Sequence, residues 1–140
     1  MARRSKAREV ALQMLFQVDL NADVDTQAVH TMITEQFSDS ELREFCWTLF
    51  SGTVEQLSLL NTQIVEVAQN WSLSRMAPTD RNVLRLGAYE LLFLDTPYEV
   101  VIDEAIELAR KFGSETSPQF VNGLLDKLVP DEKRDSPSED

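Results

Sequence analysis

Glycine is scarce in this sequence, with four residues among 140, and cysteine and long apolar runs are scarcer still. The four glycines lie too far apart for a glycine-rich phosphate-binding loop. Cys46 is the only cysteine, so an intramolecular disulfide is excluded and a reducing, cytoplasmic location is expected. The longest apolar runs cover only a few residues, so no segment is predicted to span a membrane.

Residues with catalytic or metal-binding chemistry are also few. His30 is the only histidine, and no second histidine or cysteine lies near it at metal-ligand spacing. The acids Asp103, Glu104 and Glu107 form a cluster that suits general acid–base chemistry. Glu107, however, has Arg110 three residues away on the same predicted helix, and an ion pair is the expected role. We therefore expect no enzymatic activity, no metal and no cofactor.

Positive charge is in short supply as well, and it is unevenly placed. The formal net charge is -11, yet residues 1–8 contain four cations and no acid. The four cations are Arg3, Arg4, Lys6 and Arg8. On an acidic protein this basic arm has two interpretations, a solvated terminus or a local device for binding nucleic-acid phosphate. Charge alone favours the first, so the rest of the sequence has to decide.

Apolar residues recur at spacings of three and four rather than two, which predicts an all-α fold of six to seven helices. The predicted helices cover residues 5–19, 25–37, 39–69, 79 to about 96, 100–112 and 117–129. The helix over 39–69 would be about 45 Å long and is expected to be a central spine joining two halves. Residues 131–140 contain no apolar residue, so a single domain over 1–130 is expected to be followed by a disordered acidic tail.

Several helix ends carry recognisable signals. Asp25 or Thr26 is the expected N-cap of the second helix, and Ser38 with Glu41 has the spacing of a capping box before the third. Serine and proline punctuate residues 72–78, which are predicted to form a connector with a short helical turn.

Two short sequence patterns are unfavourable within a helix unless other parts of the structure compensate for them. Arg81 and Arg85 are four residues apart and share a helix face, so we expect acids from neighbouring elements to neutralise them in ion pairs next to the core. Asn122-Gly123 lies inside the last helix, where glycine is unfavourable. Close helix packing is the expected explanation, and the alternative is that Asn122 presents its amide to RNA.

Ordered strings along the chain are shared with one known family. They are Ala7-Arg8, Ala11-Leu12-Gln13-Met14-Leu15-Phe16 and Asp19, then Asn70-Trp71, Asp80-Arg81, Leu84-Arg85-Leu86 and Tyr89-Glu90-Leu91, then Pro97, Val100, Ile102, the run 104–110, Phe112-Gly113, Ser117 and the run 120–126. On these residues the chain resembles the NusB transcription antitermination family over about residues 3–128. The agreement is strong beyond position 78, good over the first helix and weak between 20 and 69.

The resemblance implies a fold and a function. The fold is two small helical bundles that share one domain. The function is that of an RNA-binding antitermination factor, which binds boxA-type single-stranded RNA of ribosomal RNA leader transcripts. The implied partners are the small-subunit ribosomal protein NusE and the antitermination complex on RNA polymerase. Some relatives self-associate by covering the RNA face, so the resemblance also allows a homodimer, and no patch in the sequence decides between the two states.

The resemblance also assigns residues to these surfaces. The implied RNA-binding residues are Arg3, Arg4, Lys6, Arg8, Gln13, Phe16, Thr116, Phe120 and Asn122. Phe16 and Phe120 suit base stacking if they are exposed, although burial in the core is the alternative and is favoured for Phe16. The NusE surface is expected near Asp80 and the helix that follows.

Two other readings stay open at this point. One is a helical protein-interaction adaptor that does not bind RNA directly and whose basic arm is incidental. The other is the helical module that precedes the catalytic domain of certain RNA cytosine methyltransferases. We disfavour it because 140 residues leave no room for a cofactor-binding domain.

Overall fold

The computed structural model describes residues 2–134, except for the side chain of Ala2. This part of the chain contains helices and no strand, so the all-α prediction is confirmed. None of its helices is both long and apolar enough to cross a bilayer. The elements are α1 (Ala2–Leu20), α2 (Thr26–Gln36), α3 (Ser40–Glu55), α4 (Leu57–Ala68), a 3₁₀ turn (Leu73–Arg75), α5 (Pro78–Phe93), α6 (Tyr98–Phe112), α7 (Ser117–Leu128) and α8 (Asp131–Arg134).

Helix α1 buries the face that its apolar spacing predicts. Ala7, Ala11, Met14 and Leu15 are each at most 5% exposed. These residues recur at spacings of three and four residues, so they form one apolar stripe on the helix. Helix α1 packs against α3 and α5 with this stripe.

Helix α5 lies at the centre of the fold. Its residues 82–91 are all buried, including the polar Asn82, Arg85 and Glu90. Helices α1 and α3 pack against it, and so do α4, α6 and α7, while α2 packs against α3. The element that the two small bundles share is therefore α5.

The single long helix expected over residues 39–69 is instead two helices that meet at Gln56. The backbone of Gln56 departs from helical geometry, with φ of -99° and ψ of 17°. The N–H of Gln56 still donates to the carbonyl of Gly52 at 2.9 Å. The helical hydrogen-bond pattern therefore continues through the local distortion. The distortion follows one turn after Gly52, where the ring of Tyr89 from α5 leaves no room for a Cβ. The predicted spine is therefore divided at Gln56.

One of the two predicted helix caps is confirmed and the other differs from expectation. Asp25 caps α2 by accepting from the Gln27 N–H at 3.1 Å. The cap of α3 is Asp39 rather than Ser38, and its carboxylate accepts from the Glu41 N–H at 2.8 Å.

Residues 131–134, expected to be disordered, form the short helix α8. Lys133 Nζ donates to the carbonyl oxygens of Leu94 at 3.0 Å and Thr96 at 2.8 Å, which ties α8 to the end of α5. The disorder prediction was therefore wrong for this part of the tail, because the carbonyls that hold it come from a distant element. The remainder of the predicted tail, residues 135–140, lies outside the described residues.

Cys46 is part of the core, as its apolar neighbours in the sequence suggest. It is fully buried beside Leu49 and Phe50, which are also fully buried. Burial raises the pKa of the Cys46 thiol to about 12, so the side chain stays a neutral thiol at physiological pH.

Candidate nucleic-acid interface

Three of the four predicted arm cations are exposed on the first turns of α1. Arg3 forms an ion pair with Asp39 at the start of α3, and Lys6 Nζ lies 3.6 Å from a carboxylate oxygen of Glu9. The guanidinium of Arg4 lies over the Phe45 ring, 4.1 Å from its centroid. Exposed ion pairs are weak, so these contacts leave the three cations accessible to an external phosphate.

Arg8 does not belong to the exposed arm. It is 3% exposed, and its Nε and Nη2 donate to the two carboxylate oxygens of Glu90 at 2.9 and 2.6 Å. Its Nη1 also lies 3.7 Å from Glu104 Oε1. The prediction that Arg8 binds RNA was wrong because the helical period puts position 8 on the same face as the buried Leu12 and Leu15.

Gln13 and Phe16 lie further along α1, in a depression of about 660 Å³ between α1, α2 and the ends of α5 and α6. Gln13 is exposed and Phe16 is half-buried. Their neighbours in the depression include Met32 and Phe112. Phe16 is 13 residues from Arg3, a rise of about 20 Å along the helix, so the arm and this depression are separate places.

Three of the remaining site residues come together in a second depression, of about 530 Å³. Thr116 and Phe120 from α7 and Asp80 from α5 line it, together with Trp71 and Arg75. We call it the aromatic depression. Asn122 is exposed on α7 but does not line it, and neither does any of the arm cations.

Trp71, which is exposed, and Phe120, which is half-buried, form an aromatic pair at the rim of the aromatic depression. Their ring centroids are 6.0 Å apart in an edge-to-face arrangement, and Trp71 is 49% exposed. The chain reaches Trp71 through Gln69, which ends α4 with φ of 47°, an uncommon value for a residue other than glycine. After this turn the large ring of Trp71 lies about half exposed at the surface.

Asp80 sits in the first turn of α5, where a carboxylate complements the helix dipole. It is half-buried, and its Oδ1 is buried without a hydrogen-bond partner among the residues that the structure describes. The residue predicted to bind a protein partner thus shares a depression with two residues predicted to bind RNA. A buried acceptor of this kind is suited to a donor from a ligand.

Ion pairs between distant parts of the chain fix the wall that carries Trp71. Arg81 donates from Nε to Asp19 Oδ2 at 2.7 Å and from Nη1 to the carbonyls of Leu73 at 3.3 Å and Met76 at 3.2 Å. Arg85 Nη1 lies 3.3 Å from Asp19 Oδ1. The expected neutralisation of both arginines is confirmed, and one acid, on α1, serves them both.

The unpartnered cations are concentrated at the aromatic pair. Among the lysines and arginines of residues 2–134, only Arg75 and Lys127 have side chains without a hydrogen bond, ion pair or ring contact. Arg75 lines the aromatic depression, and Lys127 lies beside Trp71 and Phe120 on their other side.

Trp71, Arg75 and Lys127 were not predicted as site residues. Trp71 did carry a signal, because a large aromatic directly before a serine-rich and proline-containing connector is unlikely to be enclosed by a helix bundle. Arg75 and Lys127 carried none, since only the folded structure reveals that they lack partners.

A model of the NusB family matches residues 5–130. The chain belongs to the NusB family. It is 44% identical over 130 residues to the transcription antitermination protein NusB of Sorangium cellulosum strain So ce56, covering 92% of this chain and 93% of that one. T. maritima NusB has the same fold, with a TM-score of 0.83 and 39% identity over 94% of this chain and 96% of that one.

A further NusB-family structure is a crystal structure of antitermination factors NusB and NusE in complex with dsRNA. The matching chain in it has a TM-score of 0.82 and is 26% identical, covering 91% of this chain and 96% of that one.

Proposed function

We propose that this chain is a transcription antitermination factor, without enzymatic activity, that binds boxA-type single-stranded RNA of ribosomal RNA leader transcripts together with NusE. We propose that it acts within the antitermination complex on RNA polymerase. Membership of the NusB family supports this assignment. So does the fold that it has in common with a chain from a complex of NusB and NusE with dsRNA.

The observation that carries the RNA proposal is the aromatic depression. Trp71 offers a ring that is 49% exposed beside the half-buried Phe120, Asp80 has an unpaired acceptor and Arg75 an unpaired side-chain cation. Bases of a single strand can stack on such rings, whereas bases inside a duplex are stacked on one another. This chemistry favours single-stranded RNA.

The arm has a secondary role in this proposal. Arg3, Arg4 and Lys6 are exposed on an otherwise acidic chain, so they provide local positive charge for phosphates at some distance from the aromatic depression. The net charge of -11 repels RNA as a whole. We therefore propose that NusE contributes positive charge and affinity, and that its contact surface lies near Asp80.

The test is a titration of boxA-type RNA against the protein with NusE present. Replacing Trp71 or Phe120 with leucine keeps an apolar side chain and removes the stacking face. Loss of one stacked base costs about 1–3 kcal/mol. We expect each variant to bind RNA between roughly 5 and 150 times more weakly.

The controls in this titration separate RNA binding from folding. Trp71→Phe retains an aromatic face and should retain most of the affinity, and a thermal melt should show that both leucine variants are folded.

Replacing Arg3, Arg4 and Lys6 together with glutamine should reduce the slope of log affinity against log salt by about 2, because each phosphate contact to a single strand contributes about 0.7. Unchanged affinity in all these variants would instead support the adaptor interpretation.

A further inference from the structure

A second groove adjoins the aromatic pair on the side opposite the aromatic depression. It has a volume of about 360 Å³ and lies between the end of α4 and α7. Gln69, Asn70, Gly123 and Lys127 line it, and Trp71 and Phe120 form a wall that it shares with the aromatic depression. We call it the Gly123 groove. The two spaces are therefore next to each other, with the aromatic pair between them.

Gly123 is not explained by packing within the protein. A Cβ at Gly123 would meet nothing within 4 Å, so the expectation of close helix packing was wrong. Gly87 in α5 shows the contrast, because a Cβ there would lie 2.8 Å from Leu125 Cδ1. A glycine in the interior of a helix is unfavourable for folding. At Gly123 no contact of the fold requires this unfavourable residue, and the missing side chain opens the floor of the groove.

Lys127 provides the charge of this groove. It is exposed and, within residues 2–134, its side chain has no ion pair or hydrogen bond. It lies on the same face of α7 as Gly123, one turn further along, as residues four apart do. An ammonium group beside an open helix surface is suited to a phosphate of a strand that crosses the helix closely.

We propose that the Gly123 groove is a second nucleotide subsite, which holds the ribose-phosphate next to the base stacked on the aromatic pair. In this arrangement Lys127 pairs with the phosphate, and the absence of a side chain at Gly123 lets the sugar approach the helix. Gln69 and Asn70 supply amide groups along the wall. The proposal rests on the RNA-binding function proposed above and extends the RNA path beyond the aromatic depression.

Substitution of Gly123 separates binding from folding, because the two effects have opposite signs. Gly123→Ala and Gly123→Gln both improve helix propensity where space is open, so both should raise the Tm. Both should weaken binding of boxA-type single-stranded RNA in the presence of NusE. We expect Gly123→Gln to weaken it at least about fivefold, the lower end of what loss of one nucleotide contact costs, and Gly123→Ala to weaken it less.

Lys127→Gln tests the charge in the same titration. It should reduce the slope of log affinity against log salt by about 0.7, the contribution of one phosphate on a single strand. Arg110→Gln is the matched control, since it removes the same charge from an exposed residue whose ion pair lies within its own helix. It should leave the slope unchanged.

The outcomes distinguish the proposed subsite from the proposed RNA-binding function on which it rests. If the wild type with NusE does not bind RNA, both fail. If Phe120→Leu weakens RNA binding but Gly123→Gln and Lys127→Gln do not, the subsite is overturned and the proposed function stands. If Gly123→Gln weakens binding of NusE in the absence of RNA, the groove belongs to a protein partner and the subsite is again overturned.

Discussion

At the scale of single residues, Arg3 and Arg8 show how position on a helix decides what a charge can do. Both belong to the same basic stretch of sequence and both lie in α1. Arg3 is exposed, whereas Arg8 faces the core and is held in a two-pronged contact by Glu90. The first has only a weak, exposed ion pair and stays accessible to phosphate, and the second joins α1 to α5.

Replacement of Arg8 with alanine should destabilise the fold severely. It leaves the buried carboxylate of Glu90 without its partner, and breaking a buried pair in this way costs about 3–5 kcal/mol. Urea unfolding at neutral pH measures the loss. Arg3→Ala is the control and should change the free energy of unfolding little. Equal effects of the two substitutions would mean that the Arg8–Glu90 contact does not hold α1 in place.

The sequence was informative about some site residues and silent about others. The resemblance included Thr116 and Phe120, which the fold places in one depression with Asp80. It also included Arg8 and Asn122, of which the first is buried and the second lies outside that depression. A list of residues cannot separate these cases, because accessibility depends on which face of a helix packs against its neighbours.

At the scale of elements, helix positions could be predicted well from apolar spacing, prolines and caps. The short turn predicted in the connector is confirmed as the 3₁₀ turn at Leu73–Arg75. The break at Gln56 could not be predicted, because Gln56 and its neighbours are ordinary helix formers. The central place of α5 was not predicted either, since the one acid that neutralises both Arg81 and Arg85 is Asp19, far away in the chain on α1.

Asp19 links α1 to α5, and its titration should be visible in the stability of the protein. Burial raises the pKa of its carboxyl, but hydrogen bonds from Arg81 and Asn82 and the charge of Arg85 outweigh that effect and bring the pKa below the ordinary value of 3.8. A carboxyl with a lowered pKa in the folded state stabilises the fold above the pKa of the unfolded state. That stabilisation is lost as the pH falls through the folded pKa.

We therefore expect Asp19→Asn to lower the free energy of unfolding at pH 7 by roughly 1.5–3 kcal/mol, the usual value of a hydrogen bond to a charged group. The difference from the wild type should persist down to about pH 4 and shrink below it. Urea unfolding between pH 7 and 2.5 measures it. The exposed Asp23→Asn serves as control, and a difference for Asp19→Asn that stays constant over the whole range would contradict this role.

At the scale of the whole molecule, the acidic protein has two separate groups of cations that are proposed to meet RNA. The arm at the start of α1 carries three exposed cations, and the aromatic pair has Arg75 and Lys127 on its two sides. Sequence alone revealed the arm, because its charges lie within a few residues of one another. It could not reveal the second group, because Arg75 and Lys127 are far apart in the chain and come to the two sides of one aromatic pair only when α4, the connector and α7 pack together.

The most direct test of the account is to locate the RNA on the protein. Ultraviolet irradiation of the complex with NusE and boxA-type RNA, followed by trypsin and mass spectrometry, should yield crosslinked peptides 44–75 and 112–127. Fragment ions should place the crosslinks at Trp71 and Phe120. Crosslinks confined to other residues, with neither aromatic modified in a complex that forms, would contradict the claim that this pair receives the RNA bases.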